Sequence, residues 1–240
     1  MRHIYISPHL DDAILSCGGW IWEQTRSGIV VEVWTICTGD PPERISPFAE
    51  TLHAQWGTGR ETPAIRRKED MAACSRVGAR YRHLPLQDCI YRSAPDGAWL
   101  YDPLTLMGEI HPLDRPLIET LRLFLAASLK PDDRLLCPLT VGGHADHRLT
   151  RLAVEALGRP LLYYADVPYV LNQPTALEPL TNDKQFVIQP VSEAGLNAWQ
   201  DGIAAYASQI GMLFETPERM REMIRLYWLS HAGIRLWQKG

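Results

Sequence analysis

The sequence predicts an α/β protein, with a mostly parallel sheet covered by helices on both faces. Two observations carry this expectation. Apolar runs of strand length alternate with longer segments whose apolar residues recur at helical spacing. The residues able to do chemistry stand directly after strands, where open α/β sheets bind ligands. The 240 residues suffice for one large domain, and no repeat, low-complexity tract or linker divides 1–240.

Ile4 and Ile6 flank Tyr5 in a first strand, and Ile14, Leu15, Gly18 and Trp22 follow at helical spacing. Gly18 and Gly19 each cost roughly 1 kcal/mol relative to alanine inside a helix, which implies a close helix–sheet contact. Gly28 ends that helix, and residues 29–37 read as a buried parallel strand closed by Thr38-Gly39-Asp40-Pro41-Pro42. Turn residues then dominate as far as Pro63, around a short helix expected over 46–56. This segment leaves the same sheet edge as His9 and is a candidate wall or lid, as is the turn-rich 87–113 segment.

A helix over 64–77 carries Ile65, Met71 or Ala72, and Ser75 near one face, and ends before Gly78. A strand over 81–86 comes next, then a helix from Pro116 that displays Leu117, Leu121, Phe124, Leu125 and Leu129. The strand at 134–138 leads into the loop 139–147 and a helix ending near Leu157. Residues 161–166 and 185–189 read as later strands, with Ser192 and Thr216-Pro217 as start signals for the last two helices.

Composition excludes several classes of partner. A formal net charge of -4 gives no electrostatic case for nucleic acid or an anionic membrane. No apolar stretch is long enough to span a bilayer, and the N-terminus enters a strand without a basic and apolar leader, so a cytoplasmic protein is expected. The five cysteines are scattered, without a C-x-x-C pair, and read as reduced thiols. Cys17, Cys37 and Cys137 lie in apolar segments as small hydrophobes. A homo-oligomer is compatible with all of this.

The chemistry concentrates in two places. His9, Asp11 and Asp12 lie where the first strand turns into the first helix, whose free amide groups and dipole favour carboxylates. Adjacent carboxylates in a first helical turn point about 100° apart, so one can ligate a cation while its neighbour faces the open side. A lone aspartate here would merely cap the helix. The second cluster, His144-Ala145-Asp146-His147, follows another strand of the same sheet and can meet the first across that edge. Two histidines and one carboxylate would leave a tetrahedral zinc with one open position, the mark of a catalytic site.

These residues carry a resemblance. Pro8-His9-Leu10-Asp11-Asp12 after the first strand and His144-Ala145-Asp146-His147 far downstream resemble the signatures of the zinc-dependent PIG-L/LmbE-like de-N-acetylase family. Thr38-Gly39-Asp40, Arg66 to Asp70, Asp88 and Tyr206-Ala207-Ser208-Gln209 extend the similarity over most of the chain. Leu10 departs from the family's usual proline, and Gln200 stands where a lysine is often found, a change expected to alter the pocket floor.

The resemblance implies a Rossmann-like, LmbE-like sheet and a hydrolase that removes acetyl from an N-acetylglucosamine-type sugar or its conjugate. It implies His9, Asp12 and His147 as ligands of Zn2+, with another divalent transition metal such as Fe2+ fitting the same set, and Asp11 as general base. His144 would stabilise the oxyanion as an imidazolium or assist as an acid, and Asp146 would orient His144. Arg66 and Asp88 would contact substrate, a small-molecule N-acetylated amino sugar or glycoconjugate. Two rivals remain at the level of sequence. A metal-dependent sugar-binding protein without turnover would not require Asp11 and His144, and a phosphoester hydrolase using magnesium fits poorly with two histidine ligands.

Overall fold

The computed structural model describes residues 1–231 and 233–239. Its strands are β1 (Arg2–Ser7), β2 (Val30–Thr35), β3 (Arg80–His83), β4 (Arg134–Pro138), β5 (Leu161–Tyr164), β6 (Lys184–Pro190) and β7 (Gly233–Lys239). The helices are α1 (Asp12–Arg26), α2 (Pro47–Gln55), α3 (Thr62–Arg76), α4 (Arg115–Ser128), α5 (Ala145–Glu155), α6 (Tyr169–Asn172), α7 (Glu178–Thr181), α8 (Glu193–Ile203), α9 (Ala207–Phe214) and α10 (Pro217–His231). The strands form a single sheet in the order β3-β2-β1-β4-β5-β7-β6. The first five are parallel, and β7 runs antiparallel to both β5 and β6. The mostly parallel α/β architecture is therefore the one expected.

From β1 the chain steps outward through β2 to β3, then returns to place β4 on the other side of β1. Right-handed crossovers put α1 and α3 on one face, where both pack on α8, and α4 with α5 on the other. The order reverses between β1 and β4, so a crevice opens beyond their carboxyl ends, the place where such sheets bind ligands. β1 is central and its Ile4, Tyr5 and Ile6 are wholly buried.

Several local expectations change. Among the described residues, β7 is a strand that periodicity did not reveal, and α9 is an additional helix between the two anticipated near the end. Ser192 does cap α8, accepting the Gly195 N–H at 3.0 Å. The inward face of α3 is not the Ile65, Met71 and Ser75 side. It is Thr62, Arg66, Asp70, Ala73 and Cys74, because this helix faces a polar crevice and a buried network. Asp70 accepts from Tyr206 Oη at 2.7 Å and faces His83 Nε2 at 2.8 Å. A polar stripe of that kind defeats a rule that looks for apolar ones. On α4, Leu121 and Leu125 are buried, whereas Phe124 is exposed.

Gly18 and Gly19 do mark a close approach, but to α8 and the segment leading into it rather than to a strand of the sheet. A Cβ at Gly18 would stand 2.5 Å from Trp199 Cδ1, and one at Gly19 2.8 Å from Val191 Cγ1. Trp199 on α8 cannot swing aside freely, because its Nε1 donates to Ile14 O at 2.8 Å. Gly18→Ala gains about 1 kcal/mol of helix propensity against about 1–3 kcal/mol of overpacking. The net result expected is a lower melting temperature, measured by calorimetry. A rise would mean that the indole yields.

Candidate metal centre

Two turns deliver the site. After β1, the Ser7 hydroxyl accepts the Ala13 N–H at 3.0 Å and donates to His9 O at 2.7 Å, locking the turn onto the start of α1. Asp12, the first residue of α1, accepts the His9 N–H at 2.7 Å. After β4, Gly142 and Gly143 adopt φ of 87° and 79°, a region that side chains disfavour. A Cβ at Gly142 would also meet the Tyr169 ring at 2.7 Å. This turn delivers His144 as the cap of α5, its Nδ1 accepting the Asp146 N–H at 3.2 Å.

Across the crevice, Asp12 Oδ2 lies 3.4 Å from His9 Nδ1 and 3.3 Å from His147 Nε2. The opposite nitrogen of each imidazole is held by a carboxylate. His147 Nδ1 lies 2.7 Å from Asp166 Oδ1, and His9 Nε2 lies 3.1 Å from Asp146 Oδ2. A carboxylate on one ring nitrogen fixes the proton there and leaves the other lone pair for a cation. One carboxylate oxygen thus meets two imidazole nitrogens, and His9, His144 and His147 offer ring nitrogens within 4.8 Å of one another, a group that does not include Asp12.

The electrostatics match that donor set. Burial would lower the pKa of both His9 and His147, yet the surrounding carboxylates raise them, Asp88 and Asp12 most for His9 and Asp12 most for His147. Burial likewise resists ionisation of Asp12, but His147 and His9 hold its carboxyl below the ordinary range. Carboxylates outnumber the nearby arginines, so the metal-free pocket draws protons onto His9 and His147. A pocket with that demand for positive charge, and with N and O donors converging, fits a divalent transition metal.

Asp11 lies beside this set without joining it. Burial first, then the neighbouring Asp12 charge, pushes its carboxyl up to about 7, against the opposing pull of Arg66. Arg66 Nη2 is 3.3 Å from Asp11 Oδ2, and its guanidinium lies 5.0 Å from the centre of the Trp56 ring. Asp88 caps Ile90 N through Oδ1 at 3.2 Å and points Oδ2 toward His9 Nε2 at 3.8 Å.

The geometry alters two roles. Burial, reinforced by positive charge on His9 and His147, holds the His144 pKa well below its ordinary value. Its Nδ1 accepts an N–H, so a neutral ring carries its proton on Nε2; of the two roles expected, imidazolium or acid, the metal-free pocket disfavours the imidazolium. Asp146 touches His144 only through its backbone N–H. Its carboxylate instead meets His9, Cys89 N at 2.9 Å and Arg92 Nη2 at 2.6 Å. Burial resists its ionisation, but Arg92 and His9 bring its pKa well below the usual range.

Sequence reasoning missed Asp166 and Arg92. The one available signal for Asp166 was its position at the end of a strand on the same sheet edge. Gln200 does not reach the pocket, since it sits in α8 and donates to Arg221 O at 2.7 Å. Gln209, from the quoted terminal segment, does line it.

The cavity measures about 190 Å³. Its floor is His9, Asp11, Asp12, Arg66, Asp88 and His144; its outer wall is mainly apolar, with Leu52, Trp56, Ile90, Leu106, Met107, Tyr169, Met212 and Leu213. Segments 41–63 and 87–113 both contribute to that wall. All five cysteines are free and buried. Among the described residues, no helix is long and apolar enough to cross a membrane.

The profile of the PIG-L family, GlcNAc-PI de-N-acetylase, matches residues 4–157. The 2'-N-acetylparomamine deacetylase of Streptomyces fradiae is 31% identical over 175 residues, 70% of this chain and 57% of that protein. The enzyme of the same name from Niallia circulans is 28% identical over 186 residues, 69% of this chain and 66% of that protein. The match therefore spans less than two thirds of either relative. The zinc-inhibited form of teicoplanin deacetylase Orf2 superposes with a TM-score of 0.82 at 26% identity, covering 99% of this chain and 97% of that one.

Proposed function

Because the chain belongs to the PIG-L family of GlcNAc-PI de-N-acetylases, we propose that it is a metal-dependent hydrolase that removes the acetyl group from an N-acetylated amino sugar or its glycoconjugate. One observation carries the reading. Asp12 Oδ2 stands between His9 Nδ1 at 3.4 Å and His147 Nε2 at 3.3 Å, with the carboxyl of Asp11 beside them on the cavity floor. The deacetylase relatives support the same class of reaction.

His9, Asp12 and His147 would hold Zn2+, with Asp166 and Asp146 aiming the two imidazoles. Zinc in that set supplies a Lewis acid that polarises an amide carbonyl and lowers the pKa of water from about 15.7 toward about 7. Asp11 takes the proton from the attacking water and passes it to the departing amine. Its elevated pKa near 7 suits a group that must both accept and return a proton. His144, neutral, donates Nε2–H to the oxygen on which negative charge develops, an interaction stronger in the transition state than in the ground state. Arg66 and Asp88 flank the floor, where sugar hydroxyls would meet them. The outer wall suits the less polar faces of an amino sugar and its aglycone. The whole chain acts as one catalytic unit, operating in the cytoplasm.

The test is release of acetate and of phosphate from a panel of N-acetylated and phosphorylated sugars and glycoconjugates, including N-acetylated aminoglycosides and glycopeptides. Acetate release that stops on chelation and returns with zinc is the expected result. Phosphate release without acetate would point to the phosphoester rival, and binding without either product to a sensor.

A further inference from the structure

Arg92 follows the turn after β3 and is almost fully enclosed. Its guanidinium is committed on every side. Nη2 lies 2.6 Å from Asp146 Oδ1, Nη1 donates to Asp114 Oδ2 at 2.8 Å, and Nε and Nη2 donate to Gln87 O at 3.1 and 2.7 Å. Asp146 has no exposed surface, and its Oδ2 accepts the Cys89 N–H at 2.9 Å while facing His9 Nε2 at 3.1 Å. Arg92 is not among the residues that line the cavity.

We propose that Arg92 is a positioning residue of the metal centre, acting on His9 through Asp146. The inference rests on the metal-centre reading above. A carboxylate sealed from water is fixed by what packs on its two oxygens, and here the Arg92 guanidinium lies against Oδ1 while the Cys89 N–H holds Oδ2. With Asp146 fixed, His9 donates Nε2–H to it and turns Nδ1 toward Asp12. Without Arg92, the Oδ1 side of Asp146 would lose the group that fixes it, and the carboxylate could turn away from His9. The His9 ring would then be free to turn over or to shift its proton, and the ligand set would lose its alignment. Asp114 anchors the far side of the guanidinium, so that the cation is not drawn away from Asp146.

The experiment measures zinc affinity by competition with a chelating dye, for the parent, R92M, R92K, D146N and the R92M/D146N double variant. NMR of the zinc-loaded proteins reports which His9 nitrogen carries the proton. R92M is expected to weaken zinc binding by about 10- to 100-fold, the usual effect of removing a group that orients a ligand, and to abolish the protected His9 Nε2–H signal. R92K should restore part of the affinity, because an ammonium supplies the charge without the fork. If Arg92 acts through Asp146, R92M/D146N binds zinc no more weakly than D146N alone. A folded R92M with parental zinc affinity overturns the proposal, as do losses that multiply in the double variant. Should R92M fail to fold, R92K carries the same comparison, and parental affinity there is equally fatal. A parent that binds no zinc defeats the metal centre itself, which is a different result from a parent and R92M that bind it equally well.

Discussion

Asp11→Asn is expected to keep its metal and lose about 10²- to 10⁴-fold in the rate of acetate release, the usual cost of removing a general base. Asparagine matches the carboxylate in shape, so the proposed ligands Asp12 and His9 stay in place, but an amide cannot accept the proton of the attacking water. The pH profile sharpens this expectation. The base works only when ionised, so the rate should rise with pH through the Asp11 pKa. That pKa is about 7 in the metal-free pocket because of burial and the nearby Asp12 charge. A cation held by Asp12 offsets that charge, so the acidic limb of the loaded enzyme should lie below 7, and it should disappear in Asp11→Asn. Because His144 is held neutral, His144→Ala should lower the rate without moving an alkaline limb. Acetate release measured against pH, with metal quantified at every point, checks both statements; parental turnover in a fully loaded Asp11→Asn would place the base elsewhere.

His147→Ala should lose the metal. Only His9 and Asp12 would remain of the proposed ligands, too few to hold an open site. The substitution also strips Asp166 of the imidazole at 2.7 Å, leaving this fully buried carboxylate with the Val141 N–H as its main partner. Removing one partner of a buried pair typically costs about 3–5 kcal/mol, so a lower melting temperature should accompany the loss. Elemental analysis of the purified variant is decisive, and undiminished metal content would exclude His147 as a ligand.

The parts of this molecule legible in the sequence are those set by local spacing. His9, Asp11 and Asp12 could be read because one strand-to-helix turn fixes their relation, and His144 and His147 because a second turn does the same. Their meeting followed from topology, since strands on either side of a reversal in order share one crevice. The supporting carboxylates were harder. Asp146 stood in the motif, but its partner Arg92 lies 54 positions away and joins it only through the packing of the 87–113 segment. Asp166 reads as the polar end of a strand until the fold puts it behind His147. The buried side of α3 escaped for the opposite reason, because its inward residues are polar and give no apolar stripe. Gly18 and Gly19 were recognised as a close contact, but a glycine reveals that something is near without revealing what.

The cleft's polar floor and apolar wall come from different kinds of structure. His9, Asp11, Asp12, His144 and His147 sit on the turns and first residues of α1 and α5, joined to the central strands. Leu52 and Trp56 come from α2 and its end, Leu106 and Met107 from a loop, and Met212 and Leu213 from α9. The two halves can therefore diverge at different rates. Insertions or exchanges in the peripheral segments would reshape what is admitted while the polar floor stays intact, which makes those segments the natural place to graft or randomise when a different ligand preference is wanted.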